Sequence, residues 1–381
     1  MENRRIFNFV AGPVLIGLLV AALLILIFPD FLNPQKGQPN QNSPMDLQRS
    51  DSSPGWSGPV SYSDAVRRAA PAVVNIYTRK ITRPSNHPLL SDPFFRRLFN
   101  FQQQRIQSSL GSGVIMDEEG YILTNHHVVS DADEILTLLY DGREVPAIVV
   151  GSDPETDLAV LKISTDNLIP ISIGESSQAR IGDIVLAIGN PFGVGQTVTQ
   201  GIISATGRNG LGLNTFENFI QTDADINPGN SGGALVDAFG NLLGINTAIL
   251  NQSGSVGISF AIPSDTAQKV LSDIVTHGFV VRGWLGLDAF PLTPQIAQRL
   301  NLSLNQGLLV RSIYNGSPAH VVGIQPGDIV VAINDSPVTD QHTSINQIAN
   351  VQPGTPIQLK IWRGGDTFIV TAVAGTRPIR E

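Results

Sequence analysis

GNSGGALVDAFGNLLGINT, residues 229–247, sets one serine among glycines ahead of two short β runs joined by a Gly-Asn turn. Gly229, Gly232 and Gly233 permit backbone angles closed to other residues, so Ser231 can stand on a tight turn that a substrate approaches closely. The same turn, Gly229-Asn230-Ser231, can aim backbone N–H groups of Gly229 and Ser231 at a single point. Donors placed around a developing oxyanion are worth about 3–4 kcal/mol in acyl transfer. Taken alone, the motif is also an ordinary tight turn. Its meaning depends on partners elsewhere in the chain.

The surrounding pattern is β throughout. From Gly111 to about Ile262 short apolar runs alternate with turns: GVIMDEEGYILTN, EILTLLYDGREVPAIVVG, LAVLKI, DIVLAIG, TVTQGIISATG and GISFAIP. Strands of this length and spacing predict an antiparallel sandwich or a pair of barrels. A helix over Pro263–His277 follows, with Ser264 as its N-cap. Residues 82–107 read as a long mobile loop or a docking segment.

Two partners for the serine lie upstream. Thr124-Asn125-His126-His127-Val128 ends a strand-like run, and Thr156-Asp157-Leu158-Ala159-Val160-Leu161 leads an acid into a buried strand. A hydroxyl becomes a nucleophile when a base takes its proton and a carboxylate orients that base. Histidine, aspartate and serine follow in that order, with gaps of 30 and 74 residues. Neighbouring side chains on an extended segment face opposite ways, so His126 and His127 are not expected to serve one site together.

The order and the motifs resemble the HtrA (Deg) family of chymotrypsin-fold serine proteases. GSGVI at 111–115, TNHHV at 124–128, TDLAVL at 156–161, IGNPFG at 188–193, GIISA at 201–205 and NPGNSGGAL at 227–235 carry the likeness. The resemblance implies an all-β-dominated, two-barrel protease domain over 59–278, with His127 as base, Asp157 as its orienting acid and Ser231 as nucleophile. Asp225, six residues before Ser231, invites a trypsin-like acidic pocket, whereas the resemblance implies cleavage after small aliphatic residues, in a pocket to which Ile245, Asn246 and Thr247 contribute, with Asp225 turned elsewhere. Trimeric assembly through the protease domain is a further expectation from the family.

Beyond Arg282 the motifs Gly283-Trp284-Leu285-Gly286-Leu287, Ser317-Pro318-Ala319 and Gln325-Pro326-Gly327-Asp328 resemble a PDZ domain of the same family, spanning 279–377. There Trp284, Leu285, Gly286 and Leu287 would receive a peptide's terminal carboxylate, the peptide adding as a strand beside an exposed edge.

Residues Phe9–Phe28 form an uncharged run of 20, about 30 Å as a helix, preceded by Arg4 and Arg5. The reading is a cytoplasmic tail over 1–8, a transmembrane helix over 9–29 and a Pro/Asn/Gln/Ser-rich flexible linker over 30–58, with the rest beyond the membrane. The rival is a cleaved signal peptide, whose apolar run is ordinarily shorter and ends in a small-x-small site. One anchor, one protease domain and one PDZ domain is the layout of DegS-type regulatory members. That layout implies an inner-membrane protein whose periplasmic domains cleave part of an anti-sigma factor when C-terminal peptides of unfolded outer-membrane proteins bind. The alternative is a general periplasmic quality-control protease or chaperone of DegQ or DegP type. Arg208, in the Gly/Asn-rich loop 206–217, is the expected regulatory mediator.

The composition narrows the chemistry. The chain has no cysteine, which removes thiol catalysis, disulfides and Cys-based zinc sites. Its six histidines show no metal-ligand spacing, so neither metal nor cofactor is expected, and a net charge of −8 argues against a nucleic-acid partner.

Overall fold

Alternating apolar residues close on themselves twice. In the computed structural model, β1 (Val73–Thr82), β2 (Arg105–Ile115), β3 (Tyr121–Thr124), β4 (Glu134–Leu138), β5 (Glu144–Asp153) and β6 (Leu158–Lys162) form a closed antiparallel barrel in the order β1-β2-β3-β6-β5-β4. A second closed barrel comprises β7 (Ile184–Gly189), β8 (Thr197–Arg208), β9 (Phe219–Thr222), β10 (Ala234–Asp237), β11 (Leu242–Thr247) and β12 (Ser259–Pro263), in the order β10-β11-β12-β9-β8-β7. Closure removes the unpaired edges an open sheet would expose. The structure describes residues 18–20, 22–23, 61–82, 105–190, 195–247, 257–304 and 306–378.

Each barrel has its own interior. Val74, Ile76, Ile122 and Leu161 fill the first, while Val185, Ile203, Ile220 and Leu235 fill the second. A third cluster, including Leu123, Leu158, Ile188, Phe219, Ile245 and Phe260, draws on strands of both barrels. Each such side chain contributes about 1.5–3 kcal/mol on full burial. The site is built where the two barrels meet.

Short helices trim the barrels. α1 (Ser63–Ala69) buries Ala65 and Ala69 before β1, and α2 (His126–Val129) is a single turn after β3. α3 (Ser264–His277) turns Ala267, Val270 and Ile274 inward at helical spacing and stops at Gly278, whose φ of 82° suits a glycine. It packs close at Gly151, where a Cβ would lie 2.7 Å from Ile274. Ser264 is its first residue rather than its cap: Pro263 holds the cap position, and the Ser264 hydroxyl donates to the Gly174 carbonyl at 2.8 Å.

The C-terminal module is a β-rich α+β unit. β13 (Gly283–Trp284) pairs with β20 (Gly375–Thr376). β14 (Leu287–Pro291), β15 (Leu308–Ile313), β16 (Ile329–Ile333), β18 (Pro356–Arg363) and β19 (Asp366–Val373) form one sheet, with β17 (Ser336–Pro337) beside β16. Along β18, Ile357, Leu359 and Ile361 are buried while Gln358 and Lys360 are exposed, the period-two signature of a half-buried strand. α4 (Pro294–Arg299), α5 (Pro318–Val321) and α6 (Gln341–Ala349) complete the module.

Residues Val60–Glu381 make up one unit that holds both modules, joined by ion pairs. Arg282 pairs with Asp153 at 2.5 Å, both side chains nearly closed to solvent, and Arg377 pairs with Glu155 at 2.8 Å. The expected transmembrane span 9–29 falls mostly outside the described residues, as do the linker 30–58 and residues 83–104 of the expected loop. Among the described residues, no helix is long and apolar enough to cross a membrane. Thr82 and residues 105–107, read as part of a loop, are strand: β1 and β2 pair out to Thr82 and Arg105.

Candidate active site

Asp157 is the fulcrum of the site. It adopts φ 59°, a left-handed conformation uncommon for a non-glycine residue and tolerated by aspartate better than by most. The position is over-determined by its neighbours. Its carbonyl accepts the His126 N–H at 3.1 Å and the Asn125 side-chain amide at 3.0 Å. Its carboxylate accepts the His127 backbone N–H at 3.0 Å and the His127 Nδ1–H at 2.7 Å. The Thr247 hydroxyl donates to the same carboxylate at 3.3 Å. An imidazole held this way at Nδ1 presents Nε2 as its available base.

The two histidines sit on a helical turn, α2, not on the extended segment expected from the sequence. The turn still separates them. His127 reaches Asp157 and keeps about 45% of its side chain exposed. His126 is half-buried, with Nδ1 closed from solvent and without a hydrogen-bond partner.

Ser231 comes to the same place from the second barrel. It is 5% exposed, on a turn fixed by Gly232 N–H to Asn246 O at 2.9 Å and Gly233 N–H to Asn230 O at 2.9 Å. Gly232 has φ 81°, and a Cβ there would lie 2.2 Å from Ser112 O and 2.4 Å from Thr124 Oγ1. The serine turn is therefore packed directly on the segment that leads into His127. Gly233 is required for a similar reason, since a Cβ would meet Ile188 O at 2.2 Å.

Within the expected oxyanion turn the residues differ in role. Asn227–Asn230 closes a turn through Asn230 N–H to Asn227 O at 2.9 Å, with Gly229 at φ 104°. The Asn230 N–H is thus spent inside the turn, and its side-chain amide lies 3.5 Å from the Asp225 carbonyl. That leaves Gly229 and Ser231 as the residues whose N–H groups the sequence assigns to an oxyanion. Asp225 itself is exposed.

Ile245, Asn246 and Thr247, expected at the substrate pocket, are all buried. Ile245 is wholly buried in the core shared by the barrels. Asn246 uses its amide on the Ala234 carbonyl at 3.0 Å, and Thr247 gives its hydroxyl to Asp157. They form the wall behind the serine. The sequence reading missed Ser112 and the catalytic-side role of Thr247. An isolated hydroxyl carries no local signal for either.

In the C-terminal module the expected carboxylate loop turns at Gly286. Gly286 has φ 72°, and a Cβ there would strike the Ser317 side chain at 2.2 Å. Its carbonyl accepts from Tyr314 N–H and the Ser317 hydroxyl, while the Leu285 carbonyl accepts Ala319 N–H at 2.9 Å. Leu285 is core, Leu287 begins β14, and Trp284 packs tilted against Tyr314, ring centroids 5.7 Å apart. A groove of about 120 Å³ runs beside them, with Ile345 and Ile348 of α6 opposite.

Arg208, expected to mediate between the modules, bonds within its own barrel. Its Nε donates to Gln221 on the neighbouring strand at 2.8 Å. Besides the ion pairs of Arg282 and Arg377, Phe216 and Glu217 at the end of the same loop reach the C-terminal module: the Asn346 amide donates to the Glu217 carbonyl at 2.7 Å, and Phe216 lies under Arg282 and Arg377. Among the described residues, no group of three or more His, Cys, Asp or Glu could hold a metal ion.

Comparison with known proteins agrees with this geometry. Residues 111–245 match the trypsin-like peptidase domain family and residues 283–372 the PDZ domain family. The serine endoprotease DegS of Salmonella typhimurium is 42% identical over 94% of this chain and 96% of its own length. The chain belongs to the HtrA/DegS family of serine endoproteases. A solved structure of the HtrA-type protease AlgW with a decapeptide superposes with a TM-score of 0.73 at 55% identity, covering 84% of this chain and all of that one. A probable periplasmic DegP-like serine endoprotease of Chlamydia trachomatis is 42% identical over 84% of this chain but only 69% of its own length. The HtrA/DegS membership makes the chain a serine endopeptidase with a protein-binding PDZ domain.

Proposed function

We propose that the chain is a membrane-anchored periplasmic endoprotease of DegS type, cleaving a regulatory protein substrate when a C-terminal peptide occupies its PDZ groove. The observation that carries the catalytic part is the double bond count on one carboxylate: Asp157 accepts both the backbone N–H and the Nδ1–H of His127. Asp157 holds the imidazole in one tautomer and stabilises the imidazolium that forms. His127 Nε2 takes the Ser231 hydroxyl proton as the oxygen attacks the scissile carbonyl. The Gly229 and Ser231 N–H groups receive the oxyanion. His127 then returns the proton to the leaving amine, and water repeats the cycle on the acyl-enzyme.

The regulatory part rests on layout. The chain aligns with nearly the full length of DegS, whereas the DegP-like relative is longer than the matched region. By that likeness the substrate is the periplasmic part of an anti-sigma factor, the activating ligand is the C-terminus of an unfolded outer-membrane protein, and the assembly is a trimer anchored through 9–29 in the inner membrane. Activation then requires the peptide to bind an active state more tightly than a resting one.

The test is cleavage of an anti-sigma periplasmic domain by the purified chain, with and without peptides ending in aromatic residues, beside a Ser231→Ala control. Rapid digestion of unfolded casein without any peptide would favour a general quality-control protease instead. An enzyme that a fluorophosphonate leaves unlabelled even with peptide would remove the catalytic reading. Fluorogenic substrates with Val or Arg at the cleaved position test the aliphatic preference.

A further inference from the structure

Ser112 lies on β2 in the first barrel, yet its bonds go to the second. The residue is wholly buried. Its hydroxyl donates to the Gly229 carbonyl at 2.7 Å and accepts the Asn190 N–H at 3.0 Å. Its backbone N–H donates to the Ser231 carbonyl at 2.8 Å. Thr124 Oγ1 donates to its carbonyl at 2.7 Å, fixing the strand from behind.

The geometry points to Ser112 as the positioning residue of the oxyanion hole, an inference that rests on reading Gly229 and Ser231 as the hole's donors. A peptide group is planar, so holding it at both ends fixes it as a unit. The 229–230 peptide is held in that way: its carbonyl by the Ser112 hydroxyl and its N–H by the Asn227 carbonyl. Rotation about Gly229 is then all that links this fixed plane to the Gly229 N–H. Glycine offers no side chain to resist that rotation, so orientation must come from outside. Ser112 also pins the Ser231 carbonyl, and so constrains both residues whose N–H groups are needed. Removing one hydroxyl would release the Gly229 carbonyl and leave the Asn190 N–H unmet in a dry site.

The test is steady-state cleavage of a fluorogenic peptide by the full chain carrying Ser112→Ala, with activating peptide present. Thr137→Val is the control: on β4 it deletes another buried hydroxyl-to-carbonyl bond of 2.7 Å, one that does not reach the serine turn. The expected result for Ser112→Ala is kcat down about 10²-fold with KM within threefold, the pattern of a donor lost only from the transition state. Thr137→Val should keep kcat within threefold while lowering Tm. A folded Ser112→Ala with parental kcat overturns the inference, and so does an equal kcat loss in Thr137→Val. Should Ser112→Ala fail to fold, Ser112→Cys fills the site with a weaker donor: the same kcat-selective loss supports the inference, and parental kcat overturns it. Failure of the underlying reading looks different, since the parent chain itself would then resist fluorophosphonate labelling at Ser231.

Discussion

Asp157 grips His127 through two bonds to one carboxylate, 3.0 Å from the backbone N–H and 2.7 Å from Nδ1. The first bond fixes where the histidine begins and the second fixes how its ring turns. Asp157→Asn keeps the shape but presents an amide donor that favours the wrong tautomer. Turnover of a fluorogenic peptide should fall about 10⁴-fold. Ser231→Ala and His127→Ala should each cost about 10⁶-fold, because the three act as a unit. His126→Ala should stay within threefold of the parent; abolished cleavage there, with His127→Ala spared, would reverse the assignment.

Thr247 donates to the same carboxylate from the second barrel at 3.3 Å. Thr247→Val removes that bond while keeping the side-chain volume. A net hydrogen bond is worth about 1 kcal/mol, so kcat should drop roughly fivefold with KM unchanged. Unchanged kcat would mean that the carboxylate is held by His127 and its own backbone alone.

Phe216 links the modules. Its ring lies 4.4 Å from the Arg282 guanidinium and 5.3 Å from that of Arg377, and its N–H donates to the Glu155 carbonyl at 3.0 Å. Glu155 in turn pairs with Arg377 and stands two residues before Asp157. Phe216→Ala should therefore change the peptide concentration needed for half-maximal activation by at least threefold. Arg208→Ala, whose guanidinium bonds its own hairpin, should shift it less than twofold. The reverse ranking would restore Arg208 as the mediator.

Asp340 caps α6 by accepting the Thr343 N–H at 2.8 Å. Partial burial pushes its carboxyl up, but the Thr343 N–H, the Thr343 and Thr339 side chains and nearby His342 outweigh this and hold it below the ordinary 3.8. A depressed carboxylate stabilises the fold above its unfolded value and loses that contribution as pH falls through its folded value. Asp340→Ala should cost about 1 kcal/mol in urea unfolding at pH 7. The gap between variant and parent should narrow as pH is lowered from 5 toward 3. A gap independent of pH would assign the loss to packing.

The sequence shows the chemistry more clearly than the support beneath it. Ser231 stands out by its glycines at 229, 232 and 233, and the structure gives each a cause: a Cβ at Gly232 would strike Ser112 and one at Gly233 would strike Ile188, while Gly229 sits at φ 104°. β18 declares its buried face by alternation. The helical turn at His126–Val129 is not legible, since four residues after a strand are too few to set a period. Nor is the role of Asn246 and Thr247, whose partners at Ala234 and Asp157 lie far along the chain.

By itself the sequence determined the strand-rich domains, the residue types of the reaction and their order along the chain, because these depend on local spacing and on which side chains can do the chemistry. Tertiary structure alone decided what steadies them. Ser112 meets Gly229 across 117 positions, and Thr247 meets Asp157 across 90. Such partners are single hydroxyls whose purpose exists only once two barrels close against each other, because a hydrogen bond depends on distance in space and not on distance along the chain.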